Sequence, residues 1–257
     1  DMHPLIATIK AIPQHKQKSP EWLKQRQGYL TSSDAASALG TNPYSSYDEL
    51  VFKKCGISKP FTGNIATRHG ERYEDEAIER YCSVMGMVNH EFGLIPYEAV
   101  PREGGDPELN FLAGSPDGIA LPVGCDDTAE PVLIEVKCPF RRKPIQGVCP
   151  EHYVSQVQLN MLICKCKKAD FIEYLPKTQE LFITRFYIDH DWINARAHLF
   201  KDFWSKVMQF RDSGIHTHPK YATIKAACDK AIIKDEERKR KEEIVKNQGC
   251  LLDSDTD

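Results

Sequence analysis

The sequence has no excess of basic residues, no long apolar run and no paired cysteine motif. The 257 residues carry a net charge of −3, so the overall charge indicates no polyanionic partner, and basic groups for nucleic acid would have to be gathered locally. No apolar run approaches the length of a membrane span, and the polar N-terminus lacks the hydrophobic region of a signal peptide. We therefore expect an intracellular protein without a membrane partner.

Cysteine is present but is not arranged as a disulfide framework or a recognisable metal motif. The nine cysteines are an odd number, and no two of them form a C-x-x-C pair. Cys164 and Cys166 are the closest pair, but they lie in a predicted helix, where residues two apart point about 200° apart. A zinc or iron–sulfur site that also uses Cys138 and Cys149 is the alternative. We expect free buried thiols in a reducing compartment.

Two short motifs in the middle of the chain carry an acid–acid–lysine pattern. Ser-Pro-Asp-Gly contains Asp117, and a predicted strand further on contains Glu135 and Lys137. Alternate side chains of a strand share a face, so these two point together while Ile134 and Val136 point into the core. Carboxylates hold a hard cation, and a lysine neutralises charge or orients the attacking water. The pattern therefore suits metal-assisted phosphodiester hydrolysis.

This pattern is weak by itself, because an acid and a lysine two residues apart are common on the exposed face of strands. A helix predicted over residues 69–85 adds support. Glu74 borders its apolar stripe beside Tyr73 and Ile78, and can lean inward as a third carboxylate. The other acids of this helix are expected to form a solvated face that suits the helix dipole.

A second helix is predicted over residues 150–167. Gln156 shares a polar stripe with Tyr153 and Asn160, flanked by apolar positions. Such a stripe faces either a polar cleft or solvent, and the residues alone leave both open.

A candidate phosphate-binding corner lies near the start of the chain. Arg26 is close to the end of a helix predicted over residues 19–28, and Ser33 lies at the beginning of the next one. A helix N-terminus with hydroxyl groups and a nearby guanidinium binds phosphate well. The alternative is that Ser33 only caps its helix and that Arg26 is solvated.

Basic residues follow the predicted metal-binding strand directly. Arg141 and Arg142 lie where a DNA backbone would need neutralising, although by themselves they are a charged loop. Mixed charges over residues 234–243 predict a solvent-exposed helix, and the acidic residues 253–257 are expected to be disordered.

The remaining patterns predict ordinary structure. Residues 5–12 are either an edge strand or a trimmed terminus. A β-hairpin is expected over residues 169–188. An amphipathic helix follows over residues 189–211, with Leu199 and Phe203 among the positions predicted to face inward.

Five motifs occur in one order along the chain. They are W-x-x-x-R-x-G-x-x-T-x-S from Trp22, G-x-x-Y-E-x-x-A from Gly70, S-P-D-G from Ser115, E-V-K-C-P-F from Glu135 and Y-x-x-Q-V-Q from Tyr153. Together they resemble the phage lambda exonuclease family, also called YqaJ-type viral recombinases, within the PD-(D/E)xK nuclease superfamily. Each motif is weak alone, but five in the family's order are specific.

The resemblance implies a fold and an activity. The fold would be α/β (α+β), with a restriction-endonuclease-like core in which helices flank a central mixed β-sheet. The activity would be Mg²⁺-dependent 5′→3′ exonuclease digestion of linear double-stranded DNA from 5′-phosphorylated ends, in recombination, repair or viral DNA processing. An endonuclease of the same superfamily, restriction-like or structure-specific, is the first alternative. A non-catalytic DNA-binding module is the second.

The resemblance also assigns the metal site. Mg²⁺, for which Mn²⁺ is expected to substitute, would be held by Asp117, Glu135 and the main-chain carbonyl of Val136. Glu74 would complete the acidic site and help to hold a second ion. Lys137 would position and activate the hydrolytic water.

The same resemblance assigns the residues around the metal. Gln156 would support the lysine and the scissile phosphate. Gln158 lies about 200° around the helix, so both glutamines cannot face one site. Arg26, Ser33 and Ser115 would grip the 5′-phosphate.

The family implies partners and a division of the chain. Double-stranded DNA ends are the expected substrate, a single-strand annealing protein is a further partner, and a viral protein of this kind would act in the host cytoplasm or nucleus. Phage-type members form toroidal trimers, whereas the longer loop after Asp117 and the added C-terminal helix would suit a monomer. We expect three parts: an N-terminal segment, the nuclease domain, and a charged helix with an acidic tail, at residues 1–18, 19–212 and 213–257.

Overall fold

The computed structural model describes residues 2–60, 63 and 65–252, with side chains described as far as residue 245. Short 3-10 turns punctuate the longer elements. The α-helices and β-strands, in chain order, are α1 (Pro4–Lys10), α2 (Pro20–Gln27), β1 (Leu30–Thr31), α3 (Ala35–Ala38), α4 (Tyr47–Lys54), α5 (Ile65–Met85), β2 (Met87–His90), β3 (Ile95–Pro96), β4 (Leu112–Gly114), β5 (Gly118–Pro122), β6 (Val132–Lys137), α6 (Glu151–Cys164), β7 (Lys168–Leu175), β8 (Glu180–Tyr187), α7 (His190–Ser213) and α8 (Tyr221–Leu252).

The larger sheet contains five strands in the order β2-β5-β6-β7-β8. Its central pair, β6 and β7, is parallel, while the other neighbouring pairs are antiparallel. A second sheet of three short strands has the order β1-β4-β3. The expected mixed sheet and the hairpin formed by β7 and β8 are therefore confirmed.

Helices cover both faces of the larger sheet. On one face, Ala77 and Tyr81 of α5 pack against Ile134 and Val136 of β6. On the other face, Leu133 belongs to a larger core that includes side chains of α1, α4, α6 and α7. Burying one Leu, Ile or Val side chain contributes about 1.5–3 kcal/mol, so these two cores fix the position of β6 from both sides.

The N-terminal residues form helix α1 and not the edge strand considered above. Ile6 and Ile9 are fully buried in the larger core, and their spacing of three suits a helix. A ring nitrogen of His3 accepts a hydrogen bond from the Leu5 N–H at 3.2 Å, and a proline occupies the first turn. Because proline fits the first helical turn, these local features favour a helix here.

Several helix boundaries and faces differ from prediction. Helix α5 begins at Ile65, before the predicted start at residue 69. Helix α6 ends at Cys164, because Lys165 adopts the left-handed conformation with φ 57°. The stripe predicted for α7 is partly wrong: Leu199 is 41% exposed, whereas its neighbour Phe200 is 1% exposed. An error of one position turns a helical face by about 100°.

The segment around Ser33 and the C-terminal segment differ in how far they match the predictions. A 3-10 turn at Ser32–Asp34 precedes the short helix α3, so Ser33 lies within the turn and does not cap a regular helix. The charged C-terminal helix is confirmed as α8. The predicted disordered tail, residues 253–257, lies outside the described residues.

Among the residues that the structure describes, no helix is long and apolar enough to cross a membrane. The described cysteines carry free thiols, and Cys164 and Cys166 are buried in the larger core.

Candidate active site

The candidate site lies where β5 and β6 meet. Gly118 pairs with Ile134 across the two strands, so the register places Asp117, immediately before β5, opposite Glu135. The Val136 N–H donates a hydrogen bond to Asp117 Oδ2 at 2.6 Å. A Cβ atom at Gly118 would lie 1.9 Å from Asn89 Oδ1, so only glycine allows this close approach. The strand pairing thus brings the two acid motifs together.

Glu135 is 1% exposed and is held by three side chains. Its Oε1 accepts hydrogen bonds from Lys137 Nζ and Gln156 Nε2, each at 2.5 Å. Its Oε2 accepts one from Asn160 Nδ2 at 3.3 Å. Helix α6 therefore fixes the orientation of this carboxylate with two amides one helical turn apart.

Asn160 is a residue of the site that the sequence reasoning did not include. The side chain is fully buried, and its Oδ1 has no hydrogen-bond partner within the described residues. Its signal in the sequence was its position four residues after Gln156, on the same polar stripe. The sequence left open whether this stripe faces a polar cleft or solvent, and in the structure it faces the polar site around Glu135.

Gln158 is not part of the site. Its Nε2 donates to the Tyr187 carbonyl at 3.1 Å, and its Oε1 accepts from the Asp189 N–H at 2.9 Å. This glutamine therefore connects α6 to the junction of β8 and α7, on the opposite side of the helix from Gln156.

The carboxylates at the site repel one another. Burial, and then the charge of Glu135, raise the pKa of Asp117 to about 7. Burial and the charge of Asp117 likewise raise the pKa of Glu74. Both pKa values rise mainly because burial disfavours the charged form, and the neighbouring carboxylate adds repulsion. A cation placed between these groups would relieve it.

Lys137 is a cation in this arrangement. Burial alone would lower its pKa, but the carboxylates of Glu135 and Asp117 outweigh burial and raise it. Its ammonium also lies 5.1 Å from the ring centre of Tyr153. The lysine therefore supplies positive charge and hydrogen-bond donors, and it is not a proton acceptor while both carboxylates are ionised.

Glu74 reaches the site from α5. Its side chain is 31% exposed, and its Oε2 lies 3.8 Å from Lys18 Nζ. Within the described residues, no group of three His, Cys, Asp or Glu side chains is gathered tightly enough to form a complete metal cage. Asp117 and Glu135 form a two-carboxylate arrangement, to which Glu74 is a more distant neighbour.

The donors present fit Mg²⁺. This ion prefers oxygen ligands, and it is commonly held by one or two carboxylates together with waters and substrate phosphates. Asp117 and Glu135 provide such a pair, and the repulsion from Glu135 that adds to burial in raising the pKa of Asp117 is one that a cation would relieve. On a strand the N–H and C=O of one residue point to the same side, so the Val136 carbonyl is directed towards Asp117.

The predicted phosphate corner is assembled around Trp22. Arg26 Nη2 donates to Ser33 Oγ at 2.7 Å and to Thr31 Oγ1 at 3.0 Å. Its guanidinium carbon lies 4.4 Å from the ring centre of Trp22. The indole N–H of Trp22 donates to Ser115 Oγ at 3.3 Å. The three predicted phosphate ligands are thus linked through Trp22, which belonged to a motif but was not predicted as a site residue.

A buried ion pair lies behind this corner. Asp34 accepts a hydrogen bond from Thr31 Oγ1 at 2.7 Å and lies 2.9 Å from Lys54 Nζ. Burial alone would raise the pKa of Asp34, but the charges of Lys54, Lys53 and Arg26 outweigh it and hold this pKa well below its usual range. Asp34 therefore stays ionised, and it orients the hydroxyl that Arg26 contacts.

The two arginines after β6 occupy different environments. Arg142 forms an ion pair with Glu173, which is 1% exposed, so part of its charge is already compensated. Arg141 is exposed and has no hydrogen bond or ion pair within the described residues. Of the two, Arg141 is the more available to an incoming polyanion.

Two clefts meet at Glu74. One, of about 590 Å³, is lined by Lys137, Arg141 and Tyr153 among others. The second, of about 570 Å³, is lined by residues 14–18 and by Asp117 among others. The candidate metal site therefore lies between two open depressions on the surface.

A model of the YqaJ-like viral recombinase domain matches residues 21–167, which is more than half of the chain. The chain belongs to the YqaJ-like viral recombinase family. The matched region includes every residue predicted for the site, from Arg26 to Gln156.

Curated relatives of this family member come from viruses. An uncharacterised protein of Acanthamoeba polyphaga mimivirus is 31% identical over 177 residues, covering 65% of this chain and 31% of the relative. A protein of African swine fever virus, isolate Tick/Malawi/Lil 20-1/1983, is 30% identical over 185 residues, covering 63% of this chain and 50% of the relative. The chain thus spans between about a third and a half of the length of these relatives.

A solved structure shares the fold. An alkaline exonuclease from Laribacter hongkongensis superposes with a TM-score of 0.57 at 25% sequence identity, covering 81% of this chain and 98% of that one. The recombinase domain described here therefore has a restriction-endonuclease-like fold, as the motifs predicted.

Proposed function

We propose that this chain is a Mg²⁺-dependent 5′→3′ exonuclease that digests linear double-stranded DNA from 5′-phosphorylated ends. Membership of the YqaJ-like family and the structural similarity to an alkaline exonuclease support a nuclease that acts on DNA. One observation carries the more specific proposal. Ser115 and Asp117 lie two residues apart on one turn, and the first joins the Arg26 corner while the second joins the carboxylate pair.

This adjacency supports end-dependent cleavage. A terminal phosphate bound by Arg26, Ser33 and Ser115 would hold the first nucleotide next to Asp117 and Glu135. Hydrolysis that breaks the bond between phosphorus and the 3′ oxygen of that nucleotide leaves a new 5′-phosphate on the shortened strand. The product therefore carries the same group that the corner binds, which favours repeated removal in the 5′→3′ direction.

The residues of the site suit this reaction. Bound Mg²⁺ would be held by Asp117, Glu135 and the Val136 carbonyl, and would stabilise negative charge on the scissile phosphate. Lys137 would donate a hydrogen bond to the phosphate or to the attacking water, as a cation fixed against Glu135. Gln156 keeps Glu135 in place, and Glu74 would be positioned to receive a proton or to bind a second ion.

The proposal extends to the biological setting. Removal of 5′ strands exposes single-stranded 3′ ends, so a single-strand annealing protein is the partner that would use the product. A viral enzyme of this kind would act in the host cytoplasm or nucleus, in recombination, repair or processing of viral DNA.

The deciding experiment compares linear and covalently closed circular duplex DNA in the presence of Mg²⁺. Linear DNA labelled at either end should lose nucleotides from the 5′ ends, faster with a 5′-phosphate than with a 5′-hydroxyl, and the circle should stay intact. Chelator should abolish the reaction, and Mn²⁺ should restore it. Efficient cutting of the circle would instead identify an endonuclease of the same superfamily.

A matched pair of variants tests the site assignment. Lys137→Met should abolish cleavage, whereas Lys167→Met, at a lysine whose side chain is 82% exposed, should leave it unchanged. Cleavage by the Lys137→Met variant at the normal rate would remove Lys137 from the mechanism. Absence of cleavage in the unaltered chain, with duplex binding intact, would indicate a DNA-binding module.

A further inference from the structure

We propose that Lys18 is an additional DNA-binding residue, whose ammonium binds a backbone phosphate of the substrate strand where that strand passes between the two clefts beside Glu74. This inference rests on the proposed function. Lys18 precedes the region matched by the family model, which begins at residue 21. It would therefore add a phosphate contact from outside the matched domain.

The position of Lys18 is the first support. Of the residues that the structure describes, Lys18 and Glu74 are the two that line both clefts. One cleft leads to Asp117, and the other leads to Lys137 and Arg141. A strand that contacts both clefts has to pass over these two side chains, and only Lys18 attracts its phosphates.

The segment that carries Lys18 is tied to the site. Gln17 Nε2 donates to the Phe92 carbonyl at 2.8 Å and to the Pro116 carbonyl at 3.3 Å. The Gly93 N–H donates to Gln14 Oε1 at 2.6 Å. Since Pro116 adjoins Asp117, these contacts fix residues 14–17 against the turn that carries the catalytic acid.

The backbone of Lys18 is also held in a defined conformation. Its φ of 67° lies in the left-handed region, which is uncommon for a residue with a Cβ atom. Immediately after it, the Ser19 hydroxyl caps α2 by accepting from the Trp22 N–H at 3.2 Å. The contacts on both sides of Lys18 therefore fix its backbone where the residue lines both clefts.

The ammonium is available to a ligand. Nζ lies 3.8 Å from Glu74 Oε2 and 4.0 Å from Glu71 Oε1, which are ion-pair distances longer than a hydrogen bond. It makes no hydrogen bond within the described residues, and its side chain is 56% exposed. These acids would repel a phosphate, so a cation at this position lowers the electrostatic barrier for the strand.

The experiment compares Lys18→Ala with Lys24→Ala, a matched change at an exposed lysine on α2 that lines neither cleft. Binding of a 5′-phosphorylated duplex is measured in Ca²⁺ over a range of salt concentrations. Loss of one phosphate contact should reduce the slope of log K against log salt by roughly 0.7–0.9. Lys18→Ala should show this reduction and about fivefold to tenfold weaker binding, equivalent to about 1–1.4 kcal/mol. Lys24→Ala should show neither.

Kinetics provide a second readout. With Mg²⁺, Lys18→Ala should raise KM by a similar factor while kcat changes less, because the contact is made in both the ground state and the transition state. Lys18→Arg should restore the salt slope. Unfolding temperatures of the variants identify a merely structural role, in which stability falls and the salt slope is unchanged.

Three results would overturn the inference. If Lys18→Ala leaves the salt slope equal to that of Lys24→Ala, no phosphate is bound there. If it instead tightens Mg²⁺ binding measured by calorimetry and leaves the slope unchanged, the lysine only neutralises Glu74 in the absence of metal.

If the salt slope depends on Lys18 but closed circles are cut, the exonuclease proposal fails and the Lys18 contact survives. If the unaltered chain binds no duplex, both fail.

Discussion

At the scale of single residues, the site depends on how each carboxylate is compensated. Glu135 accepts hydrogen bonds from three side chains, whereas the Asp117 carboxylate accepts one from a backbone N–H and has the like charge of Glu135 nearby. The two acids therefore have different tasks in the metal-free protein. Glu135 is fixed in orientation, and Asp117 holds a proton that a cation would displace.

Asp117→Asn should stabilise the metal-free protein as pH rises. An ordinary aspartate loses its proton near pH 4 in the unfolded chain, but Asp117 in the folded protein keeps it up to about pH 7. Because the folded state binds this proton more tightly than the unfolded chain does, the stability it contributes is fully present below pH 4 and is lost as pH rises to about 7. Asparagine resembles the protonated acid, so the variant should gain stability relative to the unaltered chain across this interval. Unfolding temperatures in chelator measure the effect.

The same variant tests metal binding. Mg²⁺ should raise the unfolding temperature of the unaltered protein by an amount that grows between pH 5 and pH 8, roughly the range over which Asp117 loses its proton. Asp117→Asn should lose this increment, whereas Asp127→Asn, at an exposed position in the loop between β5 and β6, should keep it. An undiminished Mg²⁺ effect in Asp117→Asn would exclude this carboxylate as a ligand.

Gly114→Ala should damage the site through Asn160. A Cβ atom there would lie 2.6 Å from Asn160 Oδ1 and 3.4 Å from Ile163, so the amide must move away from Glu135. We expect a loss of about 1–3 kcal/mol in the free energy of unfolding and about a tenfold lower kcat.

The matched control for this change is Gly70→Ala on α5, where a Cβ atom meets nothing within 4 Å. Alanine should stabilise that helix by up to about 1 kcal/mol. A normal kcat in Gly114→Ala would show that Asn160 is not needed to position Glu135.

At the scale of elements, the two sides of helix α6 have different roles, one in the site and one in stabilising the fold. Gln156 and Asn160 contact Glu135, whereas Gln158 satisfies two backbone groups at the junction of β8 and α7. The helix therefore positions the site because its other side is anchored to the rest of the fold.

Two alanine substitutions should have opposite consequences. Gln156→Ala removes one donor to Glu135 and should lower kcat by at least about tenfold, with less than about 1 kcal/mol lost in unfolding free energy. Gln158→Ala leaves the Tyr187 carbonyl and the Asp189 N–H without their partner, and should cost about 2 kcal/mol of unfolding free energy with near-normal kcat. Denaturant unfolding and steady-state kinetics measured on both variants separate the effects. If Gln158→Ala lowers kcat as much as Gln156→Ala does, the two sides of α6 do not have separate roles in catalysis and stability.

At the scale of the whole molecule, residues far apart in the sequence share one core. Ile6 and Ile9 of α1 pack in the same buried cluster as Leu133 of β6 and Phe203 of α7. The segment that holds Lys18 follows α1 directly, so its placement beside the site depends on this packing. The predicted division of the chain after residue 18 is open to a direct test.

Ile9→Ala should lower the unfolding free energy by about 2–5 kcal/mol, because it leaves a cavity in the larger core. Leu23→Ala, at a side chain that is 53% exposed, should change it by less than about 0.5 kcal/mol. Denaturant unfolding followed by circular dichroism and by tryptophan fluorescence should give one coincident transition. A change below about 1 kcal/mol for Ile9→Ala would show that residues 1–18 fold independently of the core.

Much of the site was predictable because its chemistry is concentrated in short motifs. Glu135 and Lys137 share a strand face. The turn residues between Asp117 and Glu135 predict that the strand after Asp117 pairs antiparallel with the strand of Glu135, which brings the two acids together. Trp22, Asn160 and Lys18 were not predicted. Each gains its role from a contact with a residue distant in sequence. For Asn160 the spacing of four from Gln156 indicated the helix face, but the sequence did not show what that face contacts.

The sequence by itself determined the order of the elements, the pairing of the two acid motifs and the family, because periodicity and turn chemistry act over a few residues. The tertiary structure alone decided that the polar stripe of α6 faces Glu135 and not solvent, how strongly the acids repel and which cation approaches Glu74. These properties depend on distances through space and on burial. Packing sets both, and it combines α1, α5, α6 and the larger sheet in one place.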